Sequence, residues 1–132
     1  MPRELVAVCL PLLVLGAAVG APAADLPLPE AWETAYVLLL VANPDHVPGD
    51  AEHEAAVTSG HIQHQLRLQH EGQAVAAGGF GDGDRGDLVG MTILKAGSLA
   101  EARELAAADP AVKDGRFLAR VSAWWVPAGR LP

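Results

Sequence analysis

A helix with its own start and stop signals is predicted near the middle of the chain, from Gly60 to Gly72. Thr58 or Ser59 can accept a hydrogen bond from a backbone amide of its first turn, as N-capping residues do. Gly72 can end it, because glycine readily takes the left-handed conformation found after helices. The preceding segment, 45–56, is polar and acidic, which predicts a loop that becomes helical only near its end.

The inward face of this helix is predicted from Ile62 and Leu66, which lie four residues apart and so project from the same side. His61 falls in the predicted first turn. The positive end of the helix dipole disfavours a charged imidazole there, so His61 is expected to act as a neutral base.

Four strands and a second helix are predicted around this segment. Residues 36–42 are a continuous apolar run, too short for a helix and rich in strand-forming residues, which predicts a buried strand. Ser98 and Glu101 match a capping box at the start of the second helix, and Asp109-Pro110 ends it. The other strands are predicted at 74–80, 88–94 and 117–124, with turn residues at 81–87 between the first two.

The resulting order, β-α-β-β-α-β, is typical of a ferredoxin-like α+β fold. Its four strands form one antiparallel sheet, and both helices cover the same face. The other face of the sheet is left without a covering layer. Self-association is the simplest way to bury it, so a homodimer is expected.

The N-terminus carries the features of a signal peptide. Arg3 precedes an apolar run at 5–18, and Ala21-Pro22-Ala23 supplies the small residues of a cleavage site. An uncleaved anchor is the alternative, although the run is shorter than the ~20 residues that span a bilayer comfortably. The predicted organisation is a signal peptide at 1–23, an extended linker at 24–35, one domain at 36–127 and a tail at 128–132.

Cleavage would export the protein to a periplasmic or extracellular location. It would also remove Cys9, the only cysteine, so no disulfide is expected in the mature chain. The formal net charge is −7. An acidic domain with scattered basic residues is a poor match for nucleic acid or for an anionic membrane surface. A small molecule or another protein is the expected partner.

The order and spacing of several short motifs resemble the YCII-related (YciI-like) domain family over residues 36–126. The matching residues are His61, Glu71-Gly72 after the helix, Ala77-Gly78 in the next strand and Asp109-Pro110 after the second helix. The resemblance implies a dimeric α+β barrel with an active site in which His61 and Asp109 lie close together. Gly79 replaces a proline common in the family, and Gln65 replaces an apolar helix residue, a change expected to affect packing only.

A histidine paired with an aspartate is suited to proton transfer. The carboxylate fixes the tautomer of the imidazole and stabilises its charged form when that form appears. His61 is therefore predicted to be the general base and acid of a lyase, isomerase or hydrolase, with Asp109 as its orienting partner and no cofactor. The candidate substrate-binding residues are His64, Gly78 and Phe80, although a surface position for His64 is the simpler interpretation.

Two alternatives stay open. The first is a non-catalytic dimer that binds a small ligand or another protein. The second is a metal-binding protein, since all five histidines fall between positions 46 and 70. Their spacing argues against a preformed metal site, because no His-x-x-x-His pair is present and no cysteine remains after cleavage.

Overall fold

The computed structural model describes residues 20–132. Most of the predicted signal peptide, residues 1–19, lies outside this part of the chain, so cleavage and export stay predictions. Among residues 20–132, no helix combines the length and the apolar character needed to cross a bilayer.

Four strands and three helices make up the domain. Their order is β1 (Trp32–Ala42), α1 (Ala51–His70), β2 (Ala74–Gly79), β3 (Leu88–Leu94), α2 (Leu99–Ala107), α3 (Pro110–Lys113) and β4 (Phe117–Pro127). The strands form one antiparallel sheet in the order β2-β3-β1-β4. The predicted ferredoxin-like α+β fold is confirmed, with α3 as a short addition before the last strand.

β1 is one of the two inner strands of the sheet, and one of its faces contributes to the hydrophobic core. Tyr36, Leu38 and Leu40 alternate along it and are buried, Leu38 completely. They pack with residues of α1, β2, β3 and α2, so the helices cover this face. On the other face, Met91, Leu118 and Trp124 are each about two-fifths exposed.

The predicted linker at 24–35 is wrong at its end, because β1 begins at Trp32 rather than at residue 36. The extra residues have partners: Trp32 lies opposite Pro127, and Thr34 lies opposite Trp125. β4 runs to Pro127, three residues past its predicted end, and the two extensions support each other by pairing.

The predicted start of the first helix is wrong by nine residues. α1 begins at Ala51, and its cap is Asp50, whose Oδ1 accepts from the backbone amide of His53 at 2.9 Å. Glu52 and Glu54 in the first turn complement the helix dipole. Thr58, predicted as a cap, lies within the helix and donates to the carbonyl of Glu54.

The end of α1 is as predicted, but its predicted inward face is wrong. Gly72 follows the helix with a φ of 73°. Ile62 and Leu66 are about half exposed, whereas the buried residues of α1 are Val57, His64, Gln65 and Leu68. These four also recur at helical spacing, but two are polar, which is why apolar periodicity pointed to the wrong side.

The second helix begins as predicted, and Asp109-Pro110 does more than end it. Ser98 Oγ accepts from the amide of Glu101, and Ala102 and Ala106 face the core. Asp109 then caps a new helix, α3, in which Pro110 takes the first position that suits proline.

Candidate active site

Asp109 is completely buried, and its position is fixed by the helix it caps. Its Oδ1 accepts from the backbone amide of Ala111 at 2.8 Å. Its Oδ2 accepts from His61 Nδ1 at 2.7 Å and from Gln65 Nε2 at 3.0 Å. Both carboxylate oxygens are therefore satisfied, as a buried carboxylate requires.

The close approach of α1 and α3 depends on a glycine. A Cβ atom at Gly60 would lie 3.1 Å from Pro110 Cγ and 3.2 Å from its Cβ. Glycine at this position lets α3 lie against α1. The residues next to this contact in the sequence are His61 and Asp109, so the same contact brings the histidine and the aspartate together.

His61 lies near the middle of α1, not in its first turn. The prediction that the helix dipole keeps His61 neutral is therefore wrong, because the effect of the dipole fades within the first turn. Asp109 sets the state of His61 instead. An ionised carboxylate has no proton to give, so Nδ1 of His61 donates and Nε2 is left as the basic nitrogen. The ring also lies edge-on to Phe117, with centroids 5.5 Å apart.

Gln65 links the pair to the sheet. Its Nε2 donates to Asp109, and its Oε1 accepts from Thr92 Oγ1 of β3 at 2.8 Å. Both side chains are buried. The prediction that Gln65 affects packing only is wrong, because it orients Asp109. The available signal was its position four residues after His61, on the same side of one helix.

The surroundings of Asp109 favour its charged form. Burial raises the pKa of its carboxyl, but the hydrogen bonds from His61, the amide of Ala111 and Gln65, together with the charge of His61, outweigh burial. The pKa of Asp109 is therefore lowered from its ordinary value. Asp109 is an anion at neutral pH, as the role of orienting a histidine requires.

His61 and Gln65 line a cleft of about 250 Å³ between α1 and the β2–β3 side of the sheet. The predicted site residue Gly78 also lines it. Most of the remaining wall is apolar, and Gln69 and Thr92 add polar groups. The large apolar side chains of the wall are Leu40, Ile62, Leu66, Val89 and Phe117. A small cleft with an apolar wall and a few polar groups is typical of a small-molecule site.

Comparison with models of protein families identifies the domain. The model of the YCII-related domain matches residues 34–124. The chain belongs to this family. The predicted resemblance is thus confirmed.

Comparisons with solved structures and with curated proteins are less informative about this chain. A similar solved structure is 5-chloro-2-hydroxyhydroquinone dehydrochlorinase (TftG) from Burkholderia phenoliruptrix AC1100, in complex with 2,5-dihydroxybenzoquinone. It is 24% identical, with a TM-score of 0.45, and the match covers 67% of this chain and 92% of that one. No curated protein in the comparison matches the sequence.

Two predicted binding residues of this YCII-related chain do not line the cleft. His64 is buried, and its Nε2 hydrogen-bonds to the carbonyl of Leu105, which ties α1 to α2. His64 therefore neither lines the cleft nor lies at the surface, the two positions predicted for it. Phe80 follows the end of β2, is 39% exposed and is not among the lining residues. The spacing of three residues placed His64 near His61, but its side chain points to α2, and the side chain of Phe80 also lies elsewhere.

Proposed function

We propose that this YCII-related protein is a small-molecule enzyme in which His61 transfers a proton. The observation that carries the proposal is the 2.7 Å contact between His61 Nδ1 and a fully buried Asp109 at the wall of a cleft. Nε2 of His61 takes a proton from a C–H or O–H group of the bound molecule. Asp109 stabilises the resulting imidazolium, which then returns the proton to another atom of the substrate or to a leaving group.

The cleft limits the class of substrate. Its volume of about 250 Å³ fits a molecule about the size of one substituted ring. The apolar wall favours a flat or aliphatic body, and Gln69 offers a hydrogen bond to a polar substituent. These features suit a lyase or isomerase that acts on a small enolisable or phenolic compound, and a hydrolase is the third reaction class.

We also propose that the protein is exported and forms a homodimer through its open sheet face. The features of residues 1–23 support export. Met91, Leu118 and Trp124 on the uncovered face support dimerisation, because exposed apolar side chains that share one face favour association. Sedimentation of the wild type and of Leu118→Lys tests the second part. The wild type should sediment as a dimer and the variant as a monomer.

The tautomer of His61 provides the first test. In the wild type at pH 8, long-range ¹H–¹⁵N spectra should show a protonated Nδ1 and an unprotonated Nε2. In Asp109→Asn, the amide oxygen can keep the bond to Ala111, which turns the amide NH₂ toward His61. His61 Nδ1 must then accept, so the proton should move to Nε2.

The second test measures proton transfer itself. Wild-type protein should accelerate hydrogen–deuterium exchange of some members of a panel of small ketones and phenols in D₂O. His61→Ala should lower that rate by about 10²–10⁴-fold, the usual contribution of general acid–base catalysis. His70→Gln is the matched control, since His70 is an exposed histidine of the same helix. Equal rates in the wild type and His61→Ala would contradict the proposed role of His61 in proton transfer.

A further inference from the structure

A second group of polar side chains lies where the loop after β1, the first turn of α1 and the end of α3 meet. His46, Glu54 and Asp114 each offer one ligand atom, and these atoms all lie within 4.8 Å of one another. His53 reaches the same place, because its Nε2 hydrogen-bonds to Asp114 Oδ1. These four residues, here called the His46 cluster, are absent from the wall of the cleft.

The His46 cluster contains buried polar atoms without partners. His46 Nε2 and Asp114 Oδ2 are inaccessible to solvent and make no hydrogen bond. They lie 3.7 Å apart, which is too long for a hydrogen bond between them. Native proteins rarely leave such atoms unsatisfied, so each one requires an explanation.

The two unpartnered atoms lie close to the separation of two ligands on one metal ion, whereas Glu54 would have to move closer to join them. Zinc binds nitrogen and oxygen ligands at about 2.0–2.2 Å in a tetrahedral arrangement, which places two ligand atoms about 3.4 Å apart. The two unpartnered atoms are a few tenths of an ångström beyond this separation. Glu54 Oε1 accepts from the backbone amide of Gly49 at 2.9 Å, and its second lone pair can serve a third ligand position, 4.0 Å from His46 Nε2.

The charges also favour a cation. Glu54 Oε2 is paired with Arg116 at 2.7 Å, so the guanidinium balances one of the two carboxylates. The charge of Asp114 is then balanced only when one of the histidines is protonated. Arg116 Nε is also buried without a partner, but it is a donor, and a metal ion does not account for it.

We propose that His46, Glu54 and Asp114 bind a divalent transition-metal ion of the zinc class. An imidazole with two carboxylates suits zinc or cobalt better than calcium or magnesium, which prefer oxygen ligands alone. His53 donates to the other oxygen of Asp114 and orients it toward the ion, a common arrangement around metal ligands. The ion would join a loop, a helix start and a helix end, so its role is to stabilise the fold.

Titration of the chelator-treated protein with Zn²⁺ tests the proposal. Calorimetry should show one ion per chain. His46→Gln and Asp114→Asn should each weaken binding at least tenfold, and the melting temperature of the wild type should rise with Zn²⁺. His70→Gln and Asp45→Asn are the matched controls, an exposed histidine and an exposed carboxylate outside the cluster, and both should bind like the wild type.

A readout on the wild type covers the case in which a variant fails to fold. Zn²⁺ should shift the ring resonances of His46 and His53 and leave those of His61, His64 and His70 in place. Shifts confined to His61 would overturn the proposal, as would wild-type protein that binds no Zn²⁺ at millimolar concentration. Unchanged affinity in both folded cluster variants would overturn it too. In each of these cases the cluster is only a group of neighbouring histidines and carboxylates without a bound ion.

Discussion

At each end of α3, an aspartate contacts a histidine of α1, but the two contacts have different surroundings. Asp109 caps the start of α3 and contacts His61, while Asp114 ends α3 and contacts His53. The first pair is enclosed: the Asp109 side chain is inaccessible, and that of His61 is 23% exposed. In the second pair, the side chain of Asp114 is 13% exposed and that of His53 is 50% exposed.

The two aspartates also differ in how fully they are satisfied. Asp109 receives donors at both oxygens, so its orientation is fixed before any substrate arrives. Asp114 has one oxygen with a partner and one buried oxygen without any. A saturated carboxylate can hold a histidine in one tautomer, whereas an unsaturated one can still accept a cation. The two aspartates are therefore suited to the two different roles proposed for them.

The two regions should differ most in the free energy of unfolding that is lost when their aspartates are replaced. Asp109→Ala leaves the buried donors of His61, Gln65 and Ala111 unpaired, which should lower the free energy of unfolding by about 3–5 kcal/mol. Asp114→Ala, measured without metal, should cost about 1 kcal/mol, because its partner His53 is half exposed. Urea denaturation of both variants provides the measurement. Equal losses would mean that the two carboxylates are anchored alike.

The lowered pKa of Asp109 gives the comparison a pH dependence. A carboxyl whose pKa is lower in the folded state stabilises the fold above its unfolded value, about 4, and loses that contribution as the pH falls through the folded value. The difference in unfolding free energy between the wild type and Asp109→Asn should therefore shrink as the pH falls below about 4. Asp82→Asn, at an exposed loop position, is the control and should show no such change. A difference that grows in acid would contradict the lowered pKa.

The elements that were predicted correctly have their signals close together in the sequence. β3 has the predicted bounds, 88–94, and Ser98 caps α2 through a residue three positions away. The start of α1 was missed because Ser59 and Asp50 are both acceptable caps, and only packing decides between them. Periodicity could not correct the error, since the inward face includes the polar residue His64.

The candidate site was predictable only in part. Asp109 and His61 are 48 residues apart, and it was the resemblance to a family that placed them together, not their spacing. Gln65 could not be assigned its position between Asp109 and Thr92, because Thr92 comes from another element, 27 residues further along. Contacts of this kind depend on the register of β3 against the helix layer, which local signals do not encode.

The next largest loss of stability is expected when Gln65, which joins Asp109 to Thr92, is replaced. Gln65→Leu leaves the buried hydroxyl of Thr92 without its acceptor and should cost about 1–2 kcal/mol. Combined with Thr92→Val, the loss should be smaller than the sum of the two single losses by about 1 kcal/mol, since no polar atom is then left unpaired. Gln63→Leu, an exposed position on the same helix, is the matched control. Strict additivity would show that Gln65 and Thr92 are not energetically coupled.

The smallest effect is expected at His53. Half of its side chain is exposed, so solvent screens its contact with Asp114 and competes for it, and exposed ion pairs contribute about 0–1 kcal/mol. His53→Gln in metal-free protein should therefore lower the unfolding free energy by less than about 1 kcal/mol, and 0.5 M salt should reduce this further. His61→Gln should cost more and respond less to salt, because its loss leaves the buried Asp109 short of a donor. If His53→Gln were as costly and as insensitive to salt as His61→Gln, exposure would not be what separates the two pairs, and the unsatisfied oxygen of Asp114 would be the remaining difference.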